Sequence, residues 1–401
     1  MKILVVLPRF PYPLEKGDKL RAYHQIKSLS VNNEVYLFAL SHEKVGDEAI
    51  QEMRKYCKDI CVARLSKFRS LFRVVRNFFT VRSMQIGYWD SARARASYRE
   101  FEAKTAPDVV YAQMVRVIKY VAYSPYPKVL DFQDALSMNM ERRMVKHRSL
   151  PYFALHYEFK MLRSAEYNAC SIFDALTIIS EYDAEAIPQH KNTVIDVVPN
   201  GVDFDYFAPL PTPKSHDVVF CGNMQYKPNI DAAKFLVCDI MPIVWRSHPE
   251  ARVLIAGATP KPSVLKLASD KVVVSGSVSD IRPCYASSKV FVAPMRIGSG
   301  LQNKLLEAMS MGIPCVTTSL ANVSLQAEVG KDILVGDSAE SLASAIVTLL
   351  DNQQVAELQT ANASRFVRSH FSWQASCSQL EAVLKKAISN HSGHEAVELE
   401  E

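Results

Sequence analysis

The chain has 401 residues, well beyond the ~150 of a typical domain, which excludes a single small module. Hydrophobic residues make up 48% and charged residues 22%, a composition that buries a sizeable core and excludes global disorder and collagen-like structure. Net charge is +5, unevenly placed: residues 1–200 carry 30 basic and 22 acidic residues, the remainder 17 and 20. An evenly basic nucleic-acid binder would not look like this, and the basic half is better suited to an anionic surface or substrate.

From the N-terminus, short β-branched runs alternate with amphipathic segments. KILVVL precedes a helical pattern from Asp18 to Ser30, EVYLFAL one from Asp47 to Cys57, DVVYA one from Val115 to Tyr123, and KVLDF a long one from about Met138. Such alternation predicts βαβ units and a parallel sheet. The pattern restarts after residue 215 with DVVFCG, ARVLIAG, KVVVSG, KVFVAP and IPCVTT, five buried-strand candidates. Between the two series, FAPLPTPKSHD holds three prolines that can continue neither sheet nor helix, so it is the predicted linker. The expected organisation is a first doubly wound domain over 1–206, a linker over 207–216, a second over 217–372, a helix over 373–390 and a disordered acidic tail over 391–401.

No apolar run reaches the ~20 residues of a membrane span, and the start MKILVVLPRFPYP is too short in its apolar stretch for a secretory signal. A cytoplasmic chain is expected. The eight cysteines form no CxxC pair, and several sit inside apolar runs, as reduced core thiols do. Cys57 and Cys61 could sit one turn apart on a helix and bind metal, but no Cys or His cluster accompanies them.

The stretch PMRIGSGLQNKLLEAMSMGIPCV carries the most chemistry. A strand ends at Pro294, a loop with Gly298 and Gly300 follows, and Leu301 to Met311 has helical periodicity until Gly312 and Pro314 stop it. A glycine loop opening a helix aims backbone N–H groups and the positive end of the helix dipole at an anion, here a diphosphate. Arg296 and Lys304 would add fixed positive charge, and Glu307 could accept two ribose hydroxyls. The third glycine of a dinucleotide fingerprint is missing, which argues against hydride transfer.

Taken together, IDVVPNGVDFDYFAP, VVFCGNM, VSGSVSDIRPCYASSKVFVAPM and GSGLQNKLLEAMSMGIPCV resemble the family 4 (GT4) retaining glycosyltransferases of the GT-B fold. The resemblance covers nearly the whole second domain and much of the first. It implies an α/β protein of two Rossmann-like domains facing across a cleft, with the 373–390 helix packing back on the first. It also implies a metal-independent, hexosyltransferase-type enzyme that needs no cofactor. Its substrates would be a UDP- or GDP-linked sugar and a glycan, lipid-linked or other hydroxyl acceptor, as in bacterial surface polysaccharide or glycoconjugate synthesis. GNMxYxPNxDA with GSGLxxKxLEAM further resembles a sugar-transferase subgroup found with bacterial exopolysaccharide and exosortase gene systems.

Carried over by position, Glu307 matches the glutamate that holds the nucleotide ribose, whereas Ser299 replaces the one that contacts donor-sugar hydroxyls. Asn223 stands at the family's diphosphate arginine, and Lys227 lies near its lysine. Without a metal the departing diphosphate must be met by protein cations and dipoles, and Arg296 and Lys304 are the predicted replacements. Val278, Gly300, Leu301 and Gln302 complete the donor set. In the first domain Gly17 matches a glycine of the family's phosphate loop, Asp18 takes the second glycine's place, and Arg21 and His24 would face or flank that loop. Gln133 replaces the family's strand-end histidine. Arg21, Asp131, Gln133 and Asp134 are candidates for sugar or acceptor hydroxyls, Asp134 with a catalytic role. As surface turn residues Asp131 and Asp134 would need no function.

Two further segments carry recognisable patterns. Asp203-Phe-Asp205 spells a DxD, but between PNG and the linker it reads as a turn rather than a metal site. KFRSLFRVVRNFFTVR, residues 67–82, forms a basic amphipathic helix suited to an anionic membrane or lipid-phosphate acceptor. Core packing of its aromatic face is the competing reading. Nucleic acid is not expected, because basic and aromatic residues lie on separate faces. The rivals to a transferase are a GT-B nucleotide-sugar epimerase and a catalytically silent nucleotide-sugar-binding protein.

Overall fold

The computed structural model describes residues 1–14, 16–80, 82–145, 151–191, 193–298 and 300–398. The chain divides into two units, residues 1–199 with 373–401 and residues 200–372.

In the first unit seven parallel strands lie in the order β3-β2-β1-β4-β5-β6-β7. They are β1 (Lys2–Leu7), β2 (Glu34–Ser41), β3 (Asp59–Arg64), β4 (Val109–Gln113), β5 (Lys128–Asp131), β6 (Ala175–Ile178) and β7 (Ile195–Val197). Side chains alternate across a strand, so a strand covered on both faces must be apolar throughout. In β1, Ile3, Val5 and Leu7 enter one core cluster while Leu4 and Val6 enter the other. The first cluster is closed by the Gly17–Leu29 helix and by Leu380, Leu384 and Ala387 of the Trp373–Glu398 helix. That last helix continues through the segment expected to be an acidic tail, with 399–401 outside the described residues.

The second unit repeats the plan with six parallel strands in the order β10-β9-β8-β11-β12-β13. These are β8 (His216–Cys221), β9 (Val253–Ala256), β10 (Val272–Gly276), β11 (Ser288–Ala293), β12 (Cys315–Thr317) and β13 (Leu334–Val335). Five coincide with the apolar runs expected to be strands. The proline-rich segment before β8 has no regular structure, yet it belongs to this unit. Lys214 donates to the carbonyls of Ala286 and Ser288, and Ser310 donates to the carbonyl of Phe207. Proline denied it secondary structure without releasing it from the domain surface.

In both units the strand order reverses direction at one place, between β1 and β4 and between β8 and β11. At such a switch point neighbouring loops diverge to opposite faces of the sheet and leave a crevice beyond the strands' carboxyl ends.

Candidate functional site

At the β8/β11 switch point the structure brings together two loops and the helices they open. After β8, Gly222 and Asn223 lead into the Lys227–Phe235 helix; after β11, Met295 to Gln302 leads into the Asn303–Ser310 helix. Gly298, at φ 124°, lies with its Cα substituent position 3.8 Å from Pro228 Cβ. A β-carbon on Gly257, at φ 137°, would fall 1.9 Å from the Gly222 carbonyl oxygen. Glycine at 257 is therefore a steric requirement of the close approach of the β8 and β9 ends.

Lys304 occupies the middle of this arrangement. Its ammonium donates to Asn229 Oδ1 at 2.6 Å and lies 5.0 Å from the Phe220 ring centre. Burial pushes its pKa down to about 8, while the Glu307 carboxylate partly opposes that shift. A cation held by an amide oxygen, a ring face and the Met295 sulfur at 3.8 Å has no carboxylate bonded to it among the described residues, so a phosphate arriving there gains from it. One turn on, Glu307 Oε2 accepts the Tyr285 hydroxyl at 2.7 Å. Burial raises the Glu307 carboxyl pKa, against the pull of Tyr285 and Lys304. Among the described residues Oε1 carries no hydrogen bond, which keeps an acceptor available for a hydroxyl pair.

Arg296 differs from its expected role. Its guanidinium makes a two-pronged bond to Asp231 at 3.0 and 3.1 Å and stacks 4.0 Å from the Phe235 ring centre. Its charge is already matched, which leaves Lys304 as the better-placed cation. Asn223 uses its side-chain oxygen to cap the Gln225 amide at 2.9 Å and its carbonyl to receive Asn229 Nδ2 at 2.9 Å. It shapes the loop, and the loop in turn holds the residue that holds Lys304. Lys227 opens its helix on the surface, Leu301 is buried, and Gln302 donates to the Gly300 carbonyl at 3.2 Å. Ser299 lies outside the described residues. Val278 follows β10, two strands from β8, and its side chain is exposed.

Three contributors escaped the sequence reading: Asn229, Tyr285 and the Phe220 ring. The motif GNMxYxPNxDA contains Asn229, so a signal existed, but only the fold shows that it faces Lys304. Tyr285 arrives from the Arg282–Ala286 helix and had no signal at all.

In the first unit the residues assigned to an acceptor are turned inward. Arg21 Nε bonds Asp131 Oδ2 at 2.6 Å, with both side chains essentially inaccessible. Tyr111 Oη lies 2.8 Å from Asp131 Oδ2 and 2.9 Å from Gln25 Oε1. Gln113 links Gln25 and Gln133 at 2.6 and 3.0 Å. This corrects the expectation that Arg21, Asp131 and Gln133 meet a sugar: their side chains are buried and bond chiefly to one another, although Gln25 Nε2 finds no partner among the described residues. Gln133 has φ 62°, a left-handed turn that bends the chain back so that its amide donates to Asp131 Oδ1. His24 stacks on Trp373, centroids 4.6 Å apart and planes 9° from parallel, so it packs rather than flanks a ligand. Gly17 is the first residue of its helix, and Asp18 pairs with Arg9. Asp134 is half-buried, and burial, with Asp183 and Asp18 adding, pushes its carboxyl up to about 7. It is the one candidate of this set poised to exchange a proton near neutrality.

Asp203 Oδ1 accepts the backbone amides of Asp205 and Tyr206, the turn expected of that DxD. Among the described residues no group of three or more metal-ligating side chains occurs, and no helix is long and apolar enough to cross a membrane.

Comparison with known proteins agrees with this architecture. Residues 215–352 match the family model described as glycosyl transferases group 1. An uncharacterized 44.6 kDa protein in the cps region of Klebsiella pneumoniae is 22% identical over 397 residues, covering 92% of this chain and 96% of that protein. The phosphatidyl-myo-inositol mannosyltransferase of Mycobacterium leprae is 28% identical over 208 residues, covering 49% of this chain and 54% of that protein. Among solved structures, Anabaena HepE in complex with UDP-glucose superposes with a TM-score of 0.69 at 14% identity, covering 96% of this chain and 99% of that one.

Proposed function

We propose that this chain, which belongs to the group 1 (GT4) glycosyltransferases and has the GT-B fold, moves a hexose from a nucleoside diphosphate sugar to a hydroxyl acceptor with retention of anomeric configuration. The nucleotide would be held on the second unit. The observation that carries this reading is the trio at the β8/β11 switch point: the Asn303–Ser310 helix N-terminus, Lys304 on Asn229, and Glu307 with one carboxylate oxygen engaged by Tyr285.

The division of labour follows from charge. Breaking the bond between the anomeric carbon and the diphosphate puts growing negative charge on the leaving oxygens. A preorganised cation and helix N–H groups stabilise that charge more in the transition state than in the ground state. Glu307 would accept the ribose hydroxyls and set the register of the diphosphate over Lys304. The acceptor hydroxyl would attack on the face from which the diphosphate leaves, held there by position rather than by covalent catalysis. No metal is needed, because cationic and dipolar groups take its place. Uridine is favoured over guanosine as the base because HepE was captured with UDP-glucose. The cps setting of the Klebsiella relative supports a surface glycan or its lipid-linked precursor as acceptor, assembled on the cytoplasmic side.

The deciding experiment is a thermal-shift series with UDP, GDP and ADP, followed by incubation with the matching labelled sugar nucleotides in EDTA. A bound nucleotide raises the melting temperature through RT ln(1 + [L]/Kd). Stabilisation by one base and slow release of free sugar in EDTA are expected. An isomerised sugar would indicate an epimerase, an unaltered bound donor a sensor, and activity restored only by Mg²⁺ or Mn²⁺ would overturn the metal-independent mechanism.

A further inference from the structure

The Lys67–Phe79 helix is built inside out. Its buried face is polar: Ser70 and Asn77 are almost inaccessible, and Arg73 is drawn inward with them. Arg73 Nε donates to the Gly87 carbonyl at 3.2 Å, Asn77 Nδ2 to the Ser83 carbonyl at 2.9 Å, and Ser70 meets His42 Nε2 at 3.0 Å. A β-carbon at Gly87 would come within 2.1 Å of Asn77 Nδ2. The seam is thus a close fit that fixes which side of the helix faces the domain.

The apolar side is left in solvent. Phe68 is 89% exposed, Phe72 69% and Phe79 78%, with Leu71, Val75 and Phe78 beside them. At ~100° per residue these six fall on one side of the helix, opposite Ser70 and Asn77. Phe78 continues the surface onto Tyr157, ring centroids 4.9 Å apart. Phe153, one turn from Tyr157, is also largely exposed. Isolated exposed apolar residues need no explanation, but a contiguous stripe of phenylalanines does. The competing reading of the sequence, that this aromatic face is domain core, is not what the fold does with it.

Charge identifies the occupant. Arg69 and Arg76 project together from one flank of the stripe, Arg82 follows the helix, and the helix itself contains no acidic residue. Lys67 is paired with Glu43, but no ion pair engages Arg69, Arg76 or Arg82 among the described residues. Phenylalanines flanked by arginines whose stems can reach up to the phosphates are what a helix lying in a lipid headgroup layer requires. We infer that this helix inserts its Phe68-Phe72-Phe79 face into an anionic bilayer, docking the first unit on the membrane. The docking goes beyond the transfer reaction and does not depend on it.

The test is co-sedimentation of the full chain with vesicles of phosphatidylcholine alone or mixed with phosphatidylglycerol, at low and high salt. Strong binding to the anionic vesicles is expected. Because the side chains are in solvent, Phe68→Ser/Phe72→Ser/Phe79→Ser should fold normally by circular dichroism yet lose at least about 100-fold in partitioning. Arg69→Gln/Arg76→Gln should lose about fivefold per charge, with that part removed by salt. In Phe72→Trp, the added tryptophan should shift its emission to the blue on anionic vesicles. Wild-type protein that ignores anionic vesicles overturns the inference. So does serine-variant binding equal to wild type. A wild-type dimer that the serine variant converts to monomer, with no vesicle binding, would mean that the face meets a second copy instead.

Discussion

The two switch points, one per unit, share a topology and differ in what fills them. Beyond β1 and β4 lies a buried set of hydrogen bonds among Arg21, Gln25, Tyr111, Gln113, Asp131 and Gln133. Beyond β8 and β11 lie glycines, a lysine held by one amide oxygen, and a glutamate with one oxygen engaged. Side chains with long polar ends seal a crevice by bonding to one another, whereas glycines leave room and a lone cation leaves demand. The same backbone plan therefore yields a strut in one unit and a candidate site in the other.

The sharpest way to break this contrast is to treat the strut as a site. Asp131→Ala should destabilise the protein by about 3–5 kcal/mol in chemical denaturation, since Arg21 would be left as a buried charge. A stable Asp131→Ala protein that had lost only acceptor affinity would restore Asp131 to the acceptor set. Lys304→Met should do the reverse: a turnover rate lower by about 10²–10³-fold, as for removal of a single charge-stabilising donor, with a melting temperature near that of wild type.

A pH series sharpens the same point. With its pKa lowered to about 8, Lys304 is cationic below that value and neutral above it. Nucleoside diphosphate affinity should fall as pH rises through about 8, and the fall should vanish in Lys304→Met. Equal affinity at both ends of the range would remove Lys304 from the diphosphate. Glu307→Gln should raise the Kd for the nucleoside diphosphate by about tenfold, through the loss of charge-assisted bonds to ribose, and should leave the choice of sugar unaltered. Arg296→Ala should have the smallest effect, within about fivefold in turnover, because Asp231 already matches its charge. A loss as large as that of Lys304→Met would show that Arg296 leaves Asp231 when donor binds.

How legible this was in the sequence depended on the kind of signal. Strands such as KILVVL and DVVFCG announce themselves by continuous apolarity. β3, β6 and β7 did not, being short or only partly buried at the sheet's margin. The helix that carries Lys304 and Glu307 is legible because glycine punctuation and helical spacing locate its start. Arg296 is legible for the same reason, but its ion pair is not, because Asp231 lies 65 positions away. The inward turn of Arg21, Asp131 and Gln133 was illegible for a like cause. A carboxylate at a strand end has the same letter whether it meets water or a buried guanidinium. The 67–79 helix shows the limit most plainly, since periodicity gives two faces and only tertiary contacts say which one is hidden.

The chain's return to the first unit has a consequence for how the protein is made. Residues 1–199 emerge from the ribosome without the helix that covers one face of their sheet, and Leu380 and Leu384 are supplied only after the whole second unit has been synthesised. At roughly 5–20 residues per second, that leaves the face uncovered for on the order of ten seconds or more. The second unit, continuous in sequence, can complete its core in that interval. The part made first is thus the part finished last. A nascent chain stalled before residue 373 would present an open apolar sheet face to chaperones, while the second unit with its candidate site could already be folded.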